Sequence, residues 1–465
     1  MARPRFNAPL TDPVRPAINV GAGLDIPTGE YLPGIHGEMI LNGGFYPLTG
    51  CLAKPNFFKT TLKAHHELSL LNAFNDSSAS VYDTESTLYD TRFKMLQGQH
   101  DRIKEEDLFQ EGHERIRISN PSVILGEGFY DDLSKFMREK IKNKKEILRD
   151  SPFLDRSGKA LMRMMEPDAA SIDSLSQFKT SDIVDKAESH ELGDSKRNMM
   201  YMHSGRNKAM MIEELSQMAP ASSTYVWLTG HIGRNMSLDE RSPPSKQMQF
   251  FEQNSKALGT TDRFLYLTNN LWWIQKAEKY INQNTKASEL PLPGETNKEG
   301  DVDLVKLTIV NLRGKGGAAG IPMTILASQS RGVLSYLTQF QHLRDNSYFG
   351  LDGSVQNYTH TFLPDIKLSR TTVHGKLLDN PKLQRAVQFT SEMLQIEWFM
   401  KEKYVDLWCT PQELYKDIKE QGYDWDQLLS TRGYWMFDND KQATPYLSTL
   451  DLLRMRKKLY KPHWL

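Results

Sequence analysis

Ala53-Lys54-Pro55-Asn56-Phe57-Phe58-Lys59-Thr60-Thr61 is the stretch that decides how this chain is read. It follows a short apolar run, 47–52, with strand character, and it opens a helix-compatible segment, 59–74. Strand, tight loop and helix form the context in which backbone N–H groups surround phosphates and a helix N-terminus adds a favourable dipole. In such a loop Lys59 neutralises the β- and γ-phosphates and the Thr60 hydroxyl ligates Mg²⁺. Two positions depart from the standard pattern. Ala53 stands where the first glycine belongs, and Phe58 replaces the glycine before the lysine. Taken alone, Lys59-Thr60-Thr61 at a helix start is a weak signal.

The segments that follow strengthen it. A second strand candidate, 79–82, ends in Asp83-Thr84-Glu85, and a carboxylate there can activate the water that attacks a γ-phosphate. A third, 169–172, ends in Asp173-Ser174, the place from which an acid holds Mg²⁺. A fourth, 224–229, runs into Gly230-His231, which sets a polar side chain near the γ-phosphate. Each alone reads equally as a solvated strand-end acid or a hydrogen-bonded turn histidine. Ligands of open α/β sheets sit at the carboxyl ends of strands, so the four sites are expected to converge. Residues 121–125, 264–268, 305–310 and 323–327 are further strand candidates, and 131–149 is a charged helix. Strands alternating with helices favour an α/β fold with a mixed, mostly parallel sheet covered on both faces.

Around this core the chain changes character. Residues 1–34 are rich in Pro and Gly without helical period, and read as an extended N-terminal arm. From 332 to 465 the pattern is mainly helical. Two long polar stretches, 177–207 and 234–261, interrupt the middle; loops of that length inside a compact domain usually carry function. The first holds Lys186, Lys196, Arg197 and Arg206. The second holds Arg234, Arg241, Lys246 and Lys256, with Phe250 and Phe251 among them.

Composition bounds the partners. The 465 residues carry 58 Lys+Arg against 58 Asp+Glu, a net charge of zero, which excludes a uniformly basic nucleic-acid coat. Two cysteines, Cys51 and Cys409, exclude a disulfide framework and a cysteine zinc site. No run approaches the length of a membrane span, and no apolar stretch follows the N-terminal charges. The expectation is therefore a cytoplasmic protein without a membrane partner.

As an ordered set these residues resemble the RecA-type recombinases, most closely the UvsX-like recombinases of T-even-type phages, over roughly 35–396. In UvsX-like sequences a Phe commonly precedes the phosphate-loop lysine, as Phe58 does here. The segment Val81-Tyr82-Asp83-Thr84-Glu85-Ser86 is similar to the strand carrying the family's catalytic glutamate, which implies Glu85. Ile172-Asp173-Ser174-Leu175 is similar to its magnesium-binding strand, and His231 stands where the family senses the γ-phosphate. The resemblance implies a RecA-like P-loop ATPase core over 35–331, an oligomerising arm over 1–34 that docks on the adjacent protomer, and a C-terminal region over 332–465.

It further implies ATP and Mg²⁺ as cofactors, with Asn56, Phe57, Phe58, Lys59, Thr60, Thr61, Asp173 and His231 on the nucleotide and Thr60 and Asp173 on the metal. Arg313 and Lys315 would join Glu85 and Lys59 in catalysis by reaching the ATP of a neighbouring subunit. Where the family often sets an aromatic against the adenine, this chain has Arg92, with Phe93 next and Tyr89 before; an Arg plane also stacks on a base. By position the two polar stretches would bind single-stranded DNA through Arg197, Arg206, Arg234, Arg241, Lys246, Phe250 and Lys256, cations meeting phosphates and rings stacking on bases. The implied activity is ATP-dependent strand exchange in recombination and repair, in the host cytoplasm if the chain is viral. Single-stranded and homologous duplex DNA, further copies of the chain, and a mediator or single-strand-binding protein are the implied partners.

Two alternatives stay open. One is a hexameric RecA-fold helicase. The other is a structural DNA-binding protein whose nucleotide site has degenerated, as Ala53 and Phe58 would signal; retention of Lys59, Glu85 and Asp173 argues against it. The C-terminal Trp425, Trp435, Trp464 and basic run 454–461 match nothing in the family, whose UvsX-like members tend toward acidic C-termini.

Overall fold

The computed structural model describes residues 15–181, 195–235, 246–295, 302–314, 319–354, 356–437 and 444–465, with the backbone alone for 195–202. Ten strands form the main sheet: β1 (Leu48–Ala53), β2 (Ala79–Asp83), β3 (Ile116–Ser119), β4 (Asp168–Asp173), β5 (Thr224–Arg234), β6 (Ser255–Leu258), β7 (Asn270–Lys279), β8 (Leu304–Gly314), β9 (Pro322–Ser328) and β10 (Gly332–Val333). Their spatial order is β10-β9-β8-β7-β1-β5-β4-β2-β3, with β6 paired to the outer part of β5. The six strands from β7 to β3 are mutually parallel. The pairs β7–β8, β8–β9, β9–β10 and β5–β6 are antiparallel. This is the mixed, mostly parallel α/β sheet expected from the sequence.

Alternation along the strands explains how both faces are covered. On one face Cys51, Ala53, Val81, Tyr225 and Trp227 pack with Leu62 and Leu68 of α1 (Lys59–Ala73). On the other Leu52, Tyr82, Ile172, Val226 and Leu228 meet α3 (Gly126–Lys142), α4 (Ser195–Ala221) and α5 (Asp262–Leu267). Helix α2 (Asp90–Gln97) closes the α1 side through Phe93. Parallel strands buried on both faces read as continuous apolar runs, and β1 and β4 are buried throughout.

Several element expectations are corrected. Residues 264–268 are not a strand; they belong mostly to α5, and the strand is the following β7. A short apolar run does not distinguish the two states by periodicity. Residues 121–125 lie after β3 and are not a strand. The charged helix expected to reach 149 ends at Lys142; a short turn of helix, Lys144–Ile147, precedes a strand, Arg149–Leu154. The polar stretch 177–207 is helical from Ser195 onward, and 234–261 ends in β6.

The segment 15–34, read as part of an extended arm, packs on its own chain: Ala17, Ile18, Val20, Leu24, Ile26, Tyr31 and Leu32 are all buried. Residues 1–14 lie outside the described residues. After β10 the chain forms α6 (Ser335–Asp345), a three-stranded antiparallel sheet spanning Leu351–Ser354, Asn357–His360 and Leu363–Leu368, and then α7 (Pro381–Tyr404), α8 (Pro411–Glu420) and α9 (Thr449–Arg456). This region holds the N-terminal segment. The Met39 N–H donates to both oxygens of Asp451, at 3.1 and 2.9 Å. Trp435 Nε1 donates to the Ala17 carbonyl at 2.7 Å. Among the described residues no helix is long and apolar enough to cross a membrane.

Candidate functional site

The carboxyl ends of β1, β5, β4 and β2 open on a cavity of about 850 Å³, lined by 55–61, Glu85, Asp173, His231, Arg92 and Gln329 among others. β1 and β4 are separated by β5, so His231 sits between Lys59 and the two acids. Lys59 Nζ donates to the Lys54 carbonyl at 3.3 Å and to His231 Nδ1 at 3.4 Å. On the opposite side of the ring, His231 Nε2 lies 3.1 Å from Glu85 Oε1. The Nε2–H tautomer satisfies both contacts. Lysine, histidine and glutamate thus form one chain of polar contacts across the mouth of the sheet.

Asp173 is held from two sides. The Thr60 hydroxyl donates to Oδ2 and the fully buried Thr229 hydroxyl to Oδ1, each at 2.6 Å. A hydroxyl and a carboxylate oxygen side by side are the hard ligands Mg²⁺ takes when it keeps waters and phosphates for its remaining positions. Among the described residues there is no cluster of three acidic, His or Cys side chains that could hold a metal unaided. Bound at Thr60 and Asp173, Mg²⁺ would supply positive charge beside the β- and γ-phosphate oxygens. The protein's own part is to set Thr60 and Asp173 within one hydrogen bond of each other and Lys59 a helical turn's start away.

Of the acids ending β2, only one faces outward. Asp83 is buried and spends its carboxylate on backbone N–H groups: Glu85 at 3.0 Å, and Thr87 and Leu88 at 2.6 Å each. This folds the turn that projects Glu85, whose side chain keeps 46% of its surface exposed. Glu85 is therefore the carboxylate with access to a water, and Asp83 is its support, a role that spacing alone did not assign.

The departure at Phe58 is resolved by backbone geometry. Phe58 adopts φ 61°, ψ 21°, the left-handed conformation glycine would take, and Asn56 has φ 62°. Asn visits this region readily, whereas a residue with a bulky side chain pays roughly 1–2 kcal/mol. The Phe58 ring is half-buried and packs against the core under the loop. The loop conformation is thus kept without the glycine. Cys51, on the strand leading in, has its thiol pushed up to about 12 by burial, with nearby Lys59 opposing.

Elsewhere on the cavity wall Arg92 donates to Thr61 Oγ1 at 3.1 Å and to the Gln329 carbonyl. Burial lowers its guanidinium below the usual range, and Asp303 opposes the shift. Asp303 accepts from the Gln329 N–H at 2.7 Å and from Ser328 and Ser330, which shapes the turn after β9. Neither Gln329 nor Asp303 was found from the sequence, because only the pairing of β8 and β9 brings them to α2.

The remaining expected residues are placed unevenly. Arg313 pairs with Leu271 in the β7–β8 ladder, and Leu271 in turn pairs with Gly50. It stands at mid-height of the sheet and does not line the cavity of its own chain. Arg206, Arg234, Lys246 and Lys256 are exposed, and Phe250 is 39% exposed. Phe251 instead packs edge-on against Trp273 in the core, with ring centroids 5.1 Å apart. Arg197 lies on α4 with its backbone alone described; Lys186, Arg241 and Lys315 fall outside the described residues.

No protein-family model matches the chain, and no curated protein matches it. Among solved structures it is similar to a crystal structure of the RadB recombinase, at 14% identity and a TM-score of 0.32, over 63% of this chain and 92% of that one. A likeness so slight leaves the functional reading to the chain's own geometry.

Proposed function

We propose that this chain is an ATP-dependent DNA recombinase that assembles on single-stranded DNA and promotes homologous pairing and strand exchange. The observation carrying the reading is the convergence of Lys59, Thr60, Asp173, Glu85 and His231 on one cavity at the carboxyl ends of adjacent parallel strands. Lys59 and the 53–58 loop bind the phosphates, Thr60 and Asp173 hold Mg²⁺, and Glu85 takes a proton from the attacking water. His231, touching both Lys59 and Glu85, reports the state of the γ-phosphate to the outer part of β5.

The DNA-binding part rests on where the two polar stretches begin. Ser176, Gln177, Leu258 and Gly259 line the same cavity, so both stretches leave or rejoin the sheet beside the phosphates. Their exposed Arg206, Arg234, Lys246, Lys256 and Phe250, with Arg197 and Arg241, are the DNA contacts of this reading. Arg313 and Lys315 act on the nucleotide of a neighbouring protomer in this reading. The finer likeness to UvsX-like phage recombinases is supported by Phe58 before Lys59 and by His231. Residues 35–331 are the proposed ATPase core and 332–465 the proposed C-terminal region, working in the cytoplasm. ATP turnover with and without single-stranded DNA, together with an ATP-dependent D-loop assay, tests the proposal. Absence of both activities from the purified protein refutes it.

A further inference from the structure

The two polar stretches are tied together at their roots. The first leaves after Ser176 and returns along α4; the second leaves at the end of β5 and returns as β6. Ser176 Oγ accepts from the His231 N–H at 3.0 Å and donates to the Leu258 carbonyl at 2.7 Å. The next residue, Gly259, has φ +61° and passes so close that a Cβ there would sit 2.9 Å from the Ser176 backbone. Its carbonyl accepts from Lys208 Nζ at 3.0 Å. Lys208 belongs to α4, so one knot of Ser176, His231, Leu258, Gly259 and Lys208 joins both departures and both returns.

Lys208 is an expensive way to fasten a helix to a turn. It is 6% exposed, and among the described residues its partner is the Gly259 carbonyl, with no carboxylate opposing the effect of burial. Burial lowers its amine to about 8. An apolar side chain of similar length would pack there without the cost of a buried, uncompensated cation. What the ammonium alone supplies is a directional hold on the Gly259 carbonyl. A displacement of α4 is thereby passed to Gly259, to Ser176, and to His231, whose ring touches Lys59 and Glu85.

We propose that Lys208 is a positioning residue that couples occupancy of the two polar stretches to the nucleotide cavity through the Gly259 carbonyl and Ser176. This inference rests on the reading of the chain as a DNA-stimulated ATPase. The test compares ATP turnover with and without single-stranded DNA in wild type, Lys208→Met and Lys208→Arg. Lys208→Met is expected to keep its DNA-free turnover and to lose stimulation by roughly fivefold or more, the lower end of ordinary allosteric coupling. Lys208→Arg is expected to restore most of it. Gly259→Ala, which drives the same turn off Ser176, should lower stimulation relative to its own DNA-free rate, and it serves if Lys208→Met does not fold. Stimulation of Lys208→Met equal to wild type overturns the role of Lys208 and leaves the ATPase reading standing. Wild-type protein without turnover in either condition overturns both.

Discussion

Thr229→Val isolates one hydrogen bond at Asp173, the carboxylate proposed to hold Mg²⁺. The Thr229 side chain is fully buried, and valine keeps its branched shape. What disappears is the donor held 2.6 Å from Asp173 Oδ1, while the Thr60 contact to Oδ2 stays. A hydrogen bond to a charged group contributes about 1.5–3 kcal/mol. If that whole loss falls on the orientation of Asp173, the Mg²⁺ concentration for half-maximal turnover rises by roughly 10- to 150-fold, at about 1.4 kcal/mol per tenfold. The assay is a Mg²⁺ titration of ATP turnover at saturating ATP, with a thermal melt of both proteins alongside. The variant should approach the wild-type rate at high Mg²⁺, because Asp173, Thr60 and Glu85 all remain. A midpoint within about threefold of wild type, which corresponds to well under 1 kcal/mol, would refute the assignment of Asp173 as a ligand braced by Thr229.

Three further outcomes are expected. Glu85→Gln should lower turnover by roughly 10²- to 10⁴-fold while leaving equilibrium binding of ATP intact, since a general base contributes about that much; turnover near wild type would remove Glu85 from the mechanism. Phe58→Gly and Phe58→Ala lose the same ring contacts, but only glycine relieves the left-handed backbone. The glycine variant should therefore be more stable than the alanine one by about 1–2 kcal/mol, compared by thermal shift. Lys63→Met strands the fully buried Glu67 carboxylate 3.6 Å from the lost ammonium and should destabilise the protein by about 3–5 kcal/mol, largely recovered by adding Glu67→Leu. A denaturant series over the three proteins decides the last point.

The site was legible where chemistry sits at strand ends. Glu85, Asp173 and His231 stand at or just past the ends of strand candidates, Lys59 and Thr60 open the helix after another, and the parallel topology brings all five to one edge. Supporting residues were not legible. Asp83 and Glu85 look alike in sequence; only the turn geometry commits one to backbone N–H groups and frees the other. Thr229 is one polar residue in a β-like run, and its signal, a hydroxyl two positions before His231, went unused. Lys208, Gln329 and Asp303 act across elements remote in the chain, so no local pattern marks them. The segment 15–34 misled because Pro and Gly suggest an exposed arm, whereas its alternating Ile18, Val20, Leu24 and Ile26 find partners only after the core has formed.

The clasp between the N-terminal segment and the last helix has a consequence for how the protein is made. Met39 and Asp451 are 412 residues apart. At roughly 5–20 residues per second, a ribosome needs on the order of 20–80 s between the two, plus the time for Asp451 to clear the exit tunnel. During that interval the buried Ala17, Tyr31 and Leu41 have no C-terminal surface to cover them, although the phosphate loop downstream is already out. The hydrogen bond between Met39 and Asp451 can therefore form only at the close of synthesis, and the surfaces it covers stay open to water until then.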